Sequence, residues 1–592
     1  MEKHRNITAY ITAGCLLVAV LVFIWMVKDT VLACHDSMKE FVDARIGGAG
    51  KGFEDGVKYG LARGKVGIIF PLVVGFRYMV NGTGNFILIW LLQYIPVFAN
   101  VALITYLTGK KLGRINGMFW GLMFFSLLQI DIWHNLITCY PLDFMYGLFL
   151  MISGLALFDS YLEKKGSKRN FLRVLLSAFL FYESMQVYEA FIVASLSYAV
   201  IAFYHAKKGR TGIKGFIVSL IPHFITALVY LGILIYLRSH PVVDIAVSNV
   251  ETSSAALERF PRPYFVYTFG MLPLRDLRVM PPVVTFLKHI SLKGAAAFAA
   301  AGAGSIAALY AEAKRYRNLE KDQRKEENGK LYALGAVGLL TALTFAIPHS
   351  LIPSYQDWVI IGQAGGYVPT TICYFGWSVV IVCLIIRFIR LAASLNKKIS
   401  EITVPVFAVL LALSALITVG INLTFRNIVS TTGTWISLKS QTYFAFITDD
   451  HVIEKNPDLV YAPSLTGIHM NLNKDESLSE FEMGYDVDLY NDHEKFTKAL
   501  GDSHDACYFL YDGDAYCGLM IDVGDYKDDV DSWVTDAPIY VVTPHEGEFA
   551  IFFMYADDGT RDVRYVSSKP GEGGYFIPDE EILINSIDVK RD

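Results

Sequence analysis

Several small groups of residues in this 592-residue chain are of the right types to do chemistry. Cys34-His35-Asp36, with Glu40 and Asp43 following, comes directly after an apolar block. A carboxylate at the mouth of a membrane span can be partly desolvated by neighbouring helices, which moves its pKa toward that of a useful general base. The same residues would serve equally as solvated juxtamembrane charges. A second group lies in FYESMQVYEAF, where Glu183 and Glu189 stand inside an otherwise apolar stretch. Ionisable groups at membrane depth are costly and often mark functional cavities. Their bland role is the aqueous end of a helical turn. Arg275 and Arg278, at i and i+3, would share a helix face and could clamp a phosphate, or else meet lipid headgroups. His134, His349, Tyr355, Gln356 and Asp357 are polar residues suited to lining an acceptor groove.

Other motifs point to less. IGGAGKG, residues 46–52, lacks the strand before it and the G-x-x-x-x-G-K-[ST] spacing of a phosphate loop, so a flexible loop is expected. No Cys/His spacing suggests zinc, and DYKDDVD at 525–531 matches no full calcium loop. No cofactor is assigned; a divalent metal finds no ligand set to support it.

Helices in a bilayer must position these groups. The chain is 53% hydrophobic and 18% charged, with a mean hydropathy of +0.39. Its apolar residues gather in blocks near 10–32, 85–107, 116–130, 142–161, 171–204, 215–237, 290–311, 331–348, 368–389 and 402–424. Blocks of this length suit the ~20 residues that cross ~30 Å of hydrocarbon at 1.5 Å per residue. The 34-residue block 171–204 is too long for one span and has basic connectors on both sides. It is therefore expected to fold as a hairpin turning near Tyr182–Glu189. The fold class that follows is an α-helical polytopic membrane protein of about eleven crossings. The stretch Val66–Val80 is short, carries Arg77, and is expected to lie in the membrane interface.

Connectors alternate in charge. Lys110, Lys111 and Arg114, then Lys164 to Arg169, Lys207 to Lys214, Lys314 to Lys330 and Arg387 to Lys398 form a basic set. The positive-inside rule makes this set cytoplasmic, which gives N-in, C-out topology. The basic excess is thus a property of membrane loops, and no nucleic-acid partner is expected.

From about residue 437 the composition inverts. Residues 437–592 hold 11 Lys and Arg against 33 Asp and Glu, and the first 436 hold 41 against 24. Two domains follow: a membrane domain, 1–436, and an acidic extracytoplasmic domain, 437–592, of β or α+β class. Runs such as DACYFLYD, AYCGLMIDV, APIYVVT and EFAIFFMYAD alternate with turn clusters. A hairpin turn centred on Asp512 would place Cys507 and Cys517 directly opposite each other and favour a disulfide.

The acidic residue after the first span, the HDSMKE…GLARGK stretch and the YESMQVYEAF hairpin together resemble the GT-C superfamily of polytopic membrane glycosyltransferases. So do the long first outer loop, the number of crossings and the C-terminal outer domain. YQDW before Gly365-Gly366-Tyr367 adds to the likeness. His35-Asp36 stands where the family usually carries Asp-Asp or Asp-Glu. The resemblance implies transfer of a sugar from a polyprenyl-phosphate donor to a surface glycan or another acceptor on the outer face. It further implies Asp36 as catalytic base, with Glu40, Asp43, Glu183, Glu189, His134, Tyr355 and Gln356 about the substrates. Arg275 and Arg278 would hold the phosphate. The bilayer, the lipid-linked sugar and the glycan acceptor are the expected partners. A flippase of lipid-linked sugars and an envelope sensor or scaffold are the alternative readings.

Overall fold

The computed structural model describes residues 2–28, 35–130, 136–137, 143–163, 168–209, 212–241, 250–272, 292–360 and 368–431, and the backbone of the strand segments between 459 and 588. The chain forms two compact units. One comprises Met1–Asp29, Glu54–Val74 and Leu92–Arg426, and the other Thr30–Phe53, Gly75–Leu91 and Asn427–Asp592.

The helices follow the apolar blocks. They are α1 (Glu2–Val27), α2 (His35–Ala62), α3 (Ile69–Asn81), α4 (Phe86–Leu112), α5 (Arg114–Leu127), α6 (Asp143–Glu163) and α7 (Lys168–Val187). A 3₁₀ segment, Glu189–Ala194, leads into α8 (Ser195–Lys207). Next come α9 (Ile213–Ser239), α10 (Ser254–Arg259), α11 (Pro261–Phe269), α12 (Leu292–Arg317), α13 (Lys321–Thr344), α14 (Ile347–Ser350), α15 (Pro353–Ile360), α16 (Val368–Leu395) and α17 (Lys397–Thr431). Among the described residues, nine helices are long and apolar enough to cross a membrane. The chain is therefore a multi-pass α-helical membrane protein.

The nine differ from the eleven expected crossings at α5 and α7, which are not among them. With 14 residues, α5 reaches only ~21 Å, and eleven of its residues are buried among other helices. Its early stop leaves backbone groups that lipid could not satisfy. Asn422 of α17 supplies the partners, accepting from Ile130 N at 2.8 Å and donating to Leu128 O at 2.9 Å. Helix α7 has 20 residues, but Ser177, Glu183, Ser184 and Gln186 form a buried polar side. The long block does divide as a hairpin: Tyr188 is extended (φ −152°, ψ 121°) between α7 and the 3₁₀ segment.

Close helix contacts use small residues. A Cβ on Gly376 of α16 would sit 2.5 Å from the Ala342 backbone nitrogen of α13, and Gly338 packs at the same crossing. Backbone-to-backbone approach of this kind holds helices together where lipid removes any hydrophobic drive.

Where α12 and α13 meet, a charged cluster is centred on the buried Glu312 and Arg390. The Glu312 carboxylate accepts from Arg390 Nε at 2.7 Å, from Arg315 Nε at 2.9 Å and from Asn116 Nδ2 at 2.9 Å. Arg390 is fully buried, and also donates to Glu327 O at 2.9 Å and Asn328 Oδ1 at 3.3 Å. Glu327 in turn pairs with Arg315 at 2.8 Å and with Lys330 at 2.8 Å. Side chains of α5, α12, α13 and α16 are tied together by this network.

The strands of 459–588 pair as three sheets. β1 (Leu459–Tyr461), β2 (Asp488–Tyr490), β3 (Asp505–Asp512), β4 (Ala515–Asp522), β6 (Pro538–Val542) and β10 (Ile582–Leu583) form one sheet in the order β10-β6-β4-β3-β1-β2. β1 runs parallel to β2 and β3, and the other pairs are antiparallel. β7 (Glu548–Met554), β8 (Arg561–Pro570) and β9 (Phe576–Pro578) form a second, and β5 (Ser532–Trp533) with β11 (Ile587–Asp588) a third.

The register corrects the expected cysteine pairing. Asp512 faces Ala515, so the turn is centred between Gly513 and Asp514 rather than on Asp512. Cys507 consequently pairs with Met520, and Cys517 with Leu510. A three-residue offset separates the two positions by roughly 10 Å along the strands. That exceeds the ~7 Å Cα limit for a disulfide.

Candidate active site

Residues 46–62 do not form the expected flexible loop. They are helical, within α2, with one break at Gly48, whose φ of +64° suits glycine. Beyond it, Gly52, Gly56, Gly60 and Gly64 recur every fourth residue and are all buried. A Cβ at Gly52 would fall 2.3 Å from the Tyr78 ring, and one at Gly56 would fall 3.0 Å from Pro71 Cα. The glycines are thus a packing seam that lets α3 lie close against α2.

Two of the acidic residues after the first span sit beside that seam. Glu40 pairs with Arg77 at 2.6 Å and accepts from Asn81 Nδ2 at 3.2 Å. Both members of the ion pair are largely buried, at 13% and 7% side-chain exposure. Asp43 reaches Lys51 at 3.6 Å, and Arg45 donates to Gly82 O at 2.9 Å. Glu40 and Asp43 therefore have protein partners across and along the α2–α3 pair. Asp36 falls in the first turn of α2, and its side chain lies outside the described residues. His134, Arg275 and Arg278 also lie outside them.

The apex of the α7 hairpin gathers the larger polar group. The Gln186 side-chain oxygen accepts from Val66 N at 2.6 Å and Gly67 N at 3.0 Å. Glu183 accepts from Ile69 N at 3.1 Å and lies 3.5 Å from Ile68 N, so its carboxylate caps the start of α3. Both side chains are buried, and they hold segment 65–69 against the hairpin. Lys65, itself only 5% exposed, donates to Val187 O at 2.6 Å and sits 3.6 Å from Glu189. Arg238, at the end of α9, reaches Glu189 at 3.4 Å, and Arg63 is within electrostatic range of the same carboxylate. Glu189 keeps 34% of its side chain exposed. The apex therefore presents a half-buried carboxylate among three cations.

A second group adjoins it through Tyr188, whose hydroxyl meets the buried His349 imidazole. The Tyr355 ring stacks on His349 at 5.1 Å, and Tyr267 stands edge-on at 6.4 Å. The Tyr267 hydroxyl donates to Tyr355 O at 2.7 Å, and burial pushes its pKa up, so it stays protonated as a donor. Gln356 is buried and donates to Ala256 O at 2.9 Å and Ser350 O at 2.8 Å. Asp357 pairs with Arg259.

The structure thus brings Glu183, Glu189, His349, Tyr355 and Gln356 to one end of the helices. Of these, Glu189 combines exposure with facing charges, while Glu183 and Gln356 are spent on backbone partners. Lys65 and Arg238 were not singled out from the sequence. Lys65 stands in the GLARGK stretch and Arg238 ends an apolar block, and single cations at block ends are common. Among the described residues no three His, Cys, Asp or Glu side chains come together as a metal site requires.

Helical fold and apical charge cluster define a class: a polytopic membrane protein with a polar, cation-rich site at one end of its bundle. No family model matches the chain, and no curated protein matches it significantly.

Proposed function

We propose that this protein is a membrane glycosyltransferase of the GT-C type, which moves a sugar from a polyprenyl-phosphate donor to an acceptor at the membrane surface. The observation that carries the reading is the hairpin apex, where Lys65, Arg238 and Arg63 lie about the half-buried Glu189. A site with cations in excess at the end of a membrane bundle suits the phosphate of a lipid-linked donor, whose tail stays in hydrocarbon.

The resemblance to GT-C enzymes gives the role of base to Asp36. This carboxylate removes the acceptor hydroxyl proton, and the acceptor oxygen bonds to the anomeric carbon. The bond from that carbon to the phosphate oxygen breaks, and its electron pair leaves with polyprenyl phosphate. Lys65 and Arg238 offset the charge that grows on this leaving group, the kind of preorganised electrostatic help that is worth most in a water-poor site. Glu189 orients the two cations and is placed to accept from a sugar hydroxyl. The N-terminus is assigned to the cytoplasm and the acidic strand domain to the outer face, on the alternation of basic connectors.

The test uses the full-length protein in proteoliposomes with a panel of polyprenyl-phosphate-linked hexoses. Arg238→Gln removes one cation without emptying the core. A charge-assisted contact is worth roughly 1.5–3 kcal/mol, so kcat/KM for the donor should fall by about tenfold or more. Unchanged kcat/KM would remove the phosphate role of the apex. Movement of labelled donor across the bilayer without any transfer would favour a flippase instead.

A further inference from the structure

At the opposite end of the helices from the hairpin apex, α1, α4 and α5 enclose a groove of about 740 Å³ that the proposed reaction does not use. Its walls are apolar, with Val20 on α1, Ala102 on α4 and Met118 on α5. The deep end is closed by Phe98 and Phe125, 5.8 Å apart, each also against Phe23. The open end carries Lys110, in the last turn of α4, and Arg114, the first residue of α5. From Phe98 to Lys110 the lining of α4 spans thirteen residues, ~18 Å of helix. One leaflet of a ~30 Å hydrocarbon core is about 15 Å deep, so the groove runs from a membrane surface to near the midplane.

We infer that this groove holds a single glycerophospholipid with an anionic headgroup, its acyl chain between α1, α4 and α5 and its phosphate on Lys110 and Arg114. Charge complementarity selects the headgroup. Arg114 is exposed and makes no ion pair among the described residues. Lys110 reaches Glu163 at 3.2 Å but shares that carboxylate with Lys111 at 2.7 Å, and Lys111 also pairs with Asp159 at 2.5 Å, so Lys110, Lys111 and Arg114 face two carboxylates. Cations therefore exceed carboxylates at the mouth, and a basic pocket between membrane helices is the setting in which anionic headgroups are held. The depth of one leaflet, with an aromatic floor, sets the tail. The short helix α5 creates the space. A Cβ on Gly117 would meet Thr105 O at 2.3 Å, so α5 lies hard against α4 near its start.

The experiment counts lipids that stay bound. Protein reconstituted with equal amounts of phosphatidylcholine and phosphatidylglycerol is extracted into detergent and examined by native mass spectrometry. One phosphatidylglycerol should remain on the wild type, in preference to phosphatidylcholine. Each of Lys110→Gln and Arg114→Gln should weaken retention roughly fivefold, as ~1 kcal/mol per surface cation implies. Ala102→Trp, at an exposed position, should abolish retention by filling the groove. Melting in lipid-free detergent checks that each variant is folded, and the exposed Arg114→Gln decides the matter alone if the others are not. Equal retention of the two lipids, or undiminished phosphatidylglycerol on Arg114→Gln, would overturn the inference. So would displacement of phosphatidylglycerol by a polyprenyl phosphate, which would make the groove a donor site.

Discussion

Glu312→Ala tests whether the charge cluster holds the helices together. In the native structure Glu312 is 3% exposed and takes donors from Arg390, Arg315 and Asn116. Removing it leaves the fully buried Arg390 with Glu327 as its nearest carboxylate, at 3.6 Å. Breaking a buried pair from one side costs about 3–5 kcal/mol, because the remaining charge stays desolvated. Arg315 suffers less, since it is one-third exposed and retains Glu327 at 2.8 Å. Glu312→Gln keeps an acceptor but not the charge, and should cost about 1.5–3 kcal/mol. The exposed Lys314→Gln, in the same turn, should stay within about 0.5 kcal/mol. Unfolding by sodium dodecyl sulfate in mixed micelles gives the three values on one scale. Replacing both partners, as Glu312→Leu with Arg390→Met, should recover most of the loss, because matched apolar groups avoid the desolvation penalty. A Glu312→Ala no weaker than Lys314→Gln would refute the reasoning.

Further outcomes follow from the site and the strands. Glu183→Ala removes the cap from the start of α3 and should cost about 0.5–2 kcal/mol. Limited trypsin digestion should then cut faster after Arg63 and Lys65; an unchanged rate would show that Glu183 does not hold this segment. Cys507 and Cys517, three residues out of register, should both label as free thiols in unreduced, denatured protein. A disulfide between them would contradict the β3–β4 register.

The helices were legible because lipid leaves a strong mark on sequence: blocks of apolar residues recur where the helices lie, and the turn of the long block falls at Tyr188. The strand runs were legible too, since DACYFLYD and AYCGLMID are β3 and β4. What escaped is where charge meets helix. Arg315, Glu327 and Lys330 stood in a basic connector by composition, with Glu312 just before it, yet α12 continues to Arg317 and α13 begins at Lys321. Helices run on past the apolar block when their charged turns find partners, and sequence does not say who the partners are. Gly52, Gly56 and Gly60 had a readable four-residue spacing, but packing and phosphate binding draw on the same residue type. The cysteine register turned on the centre of a single tight turn, which a Gly/Asp cluster leaves free to shift. Lys65, Gln186 and Arg238 come together from three distant segments, and no local pattern announces that.

The central claim, sugar transfer with Asp36 as base, is tested most directly by Asp36→Asn in the reconstituted transfer assay. The substitution keeps size and hydrogen bonding but cannot take the acceptor proton. General-base catalysis contributes roughly 10²–10⁴-fold, so the transfer rate should fall by at least about a hundredfold, with expression and melting unchanged. Glu40→Gln is not a neutral comparison, because Glu40 pairs with the buried Arg77 and its loss should also lower stability. Transfer by Asp36→Asn at the wild-type rate would contradict the account.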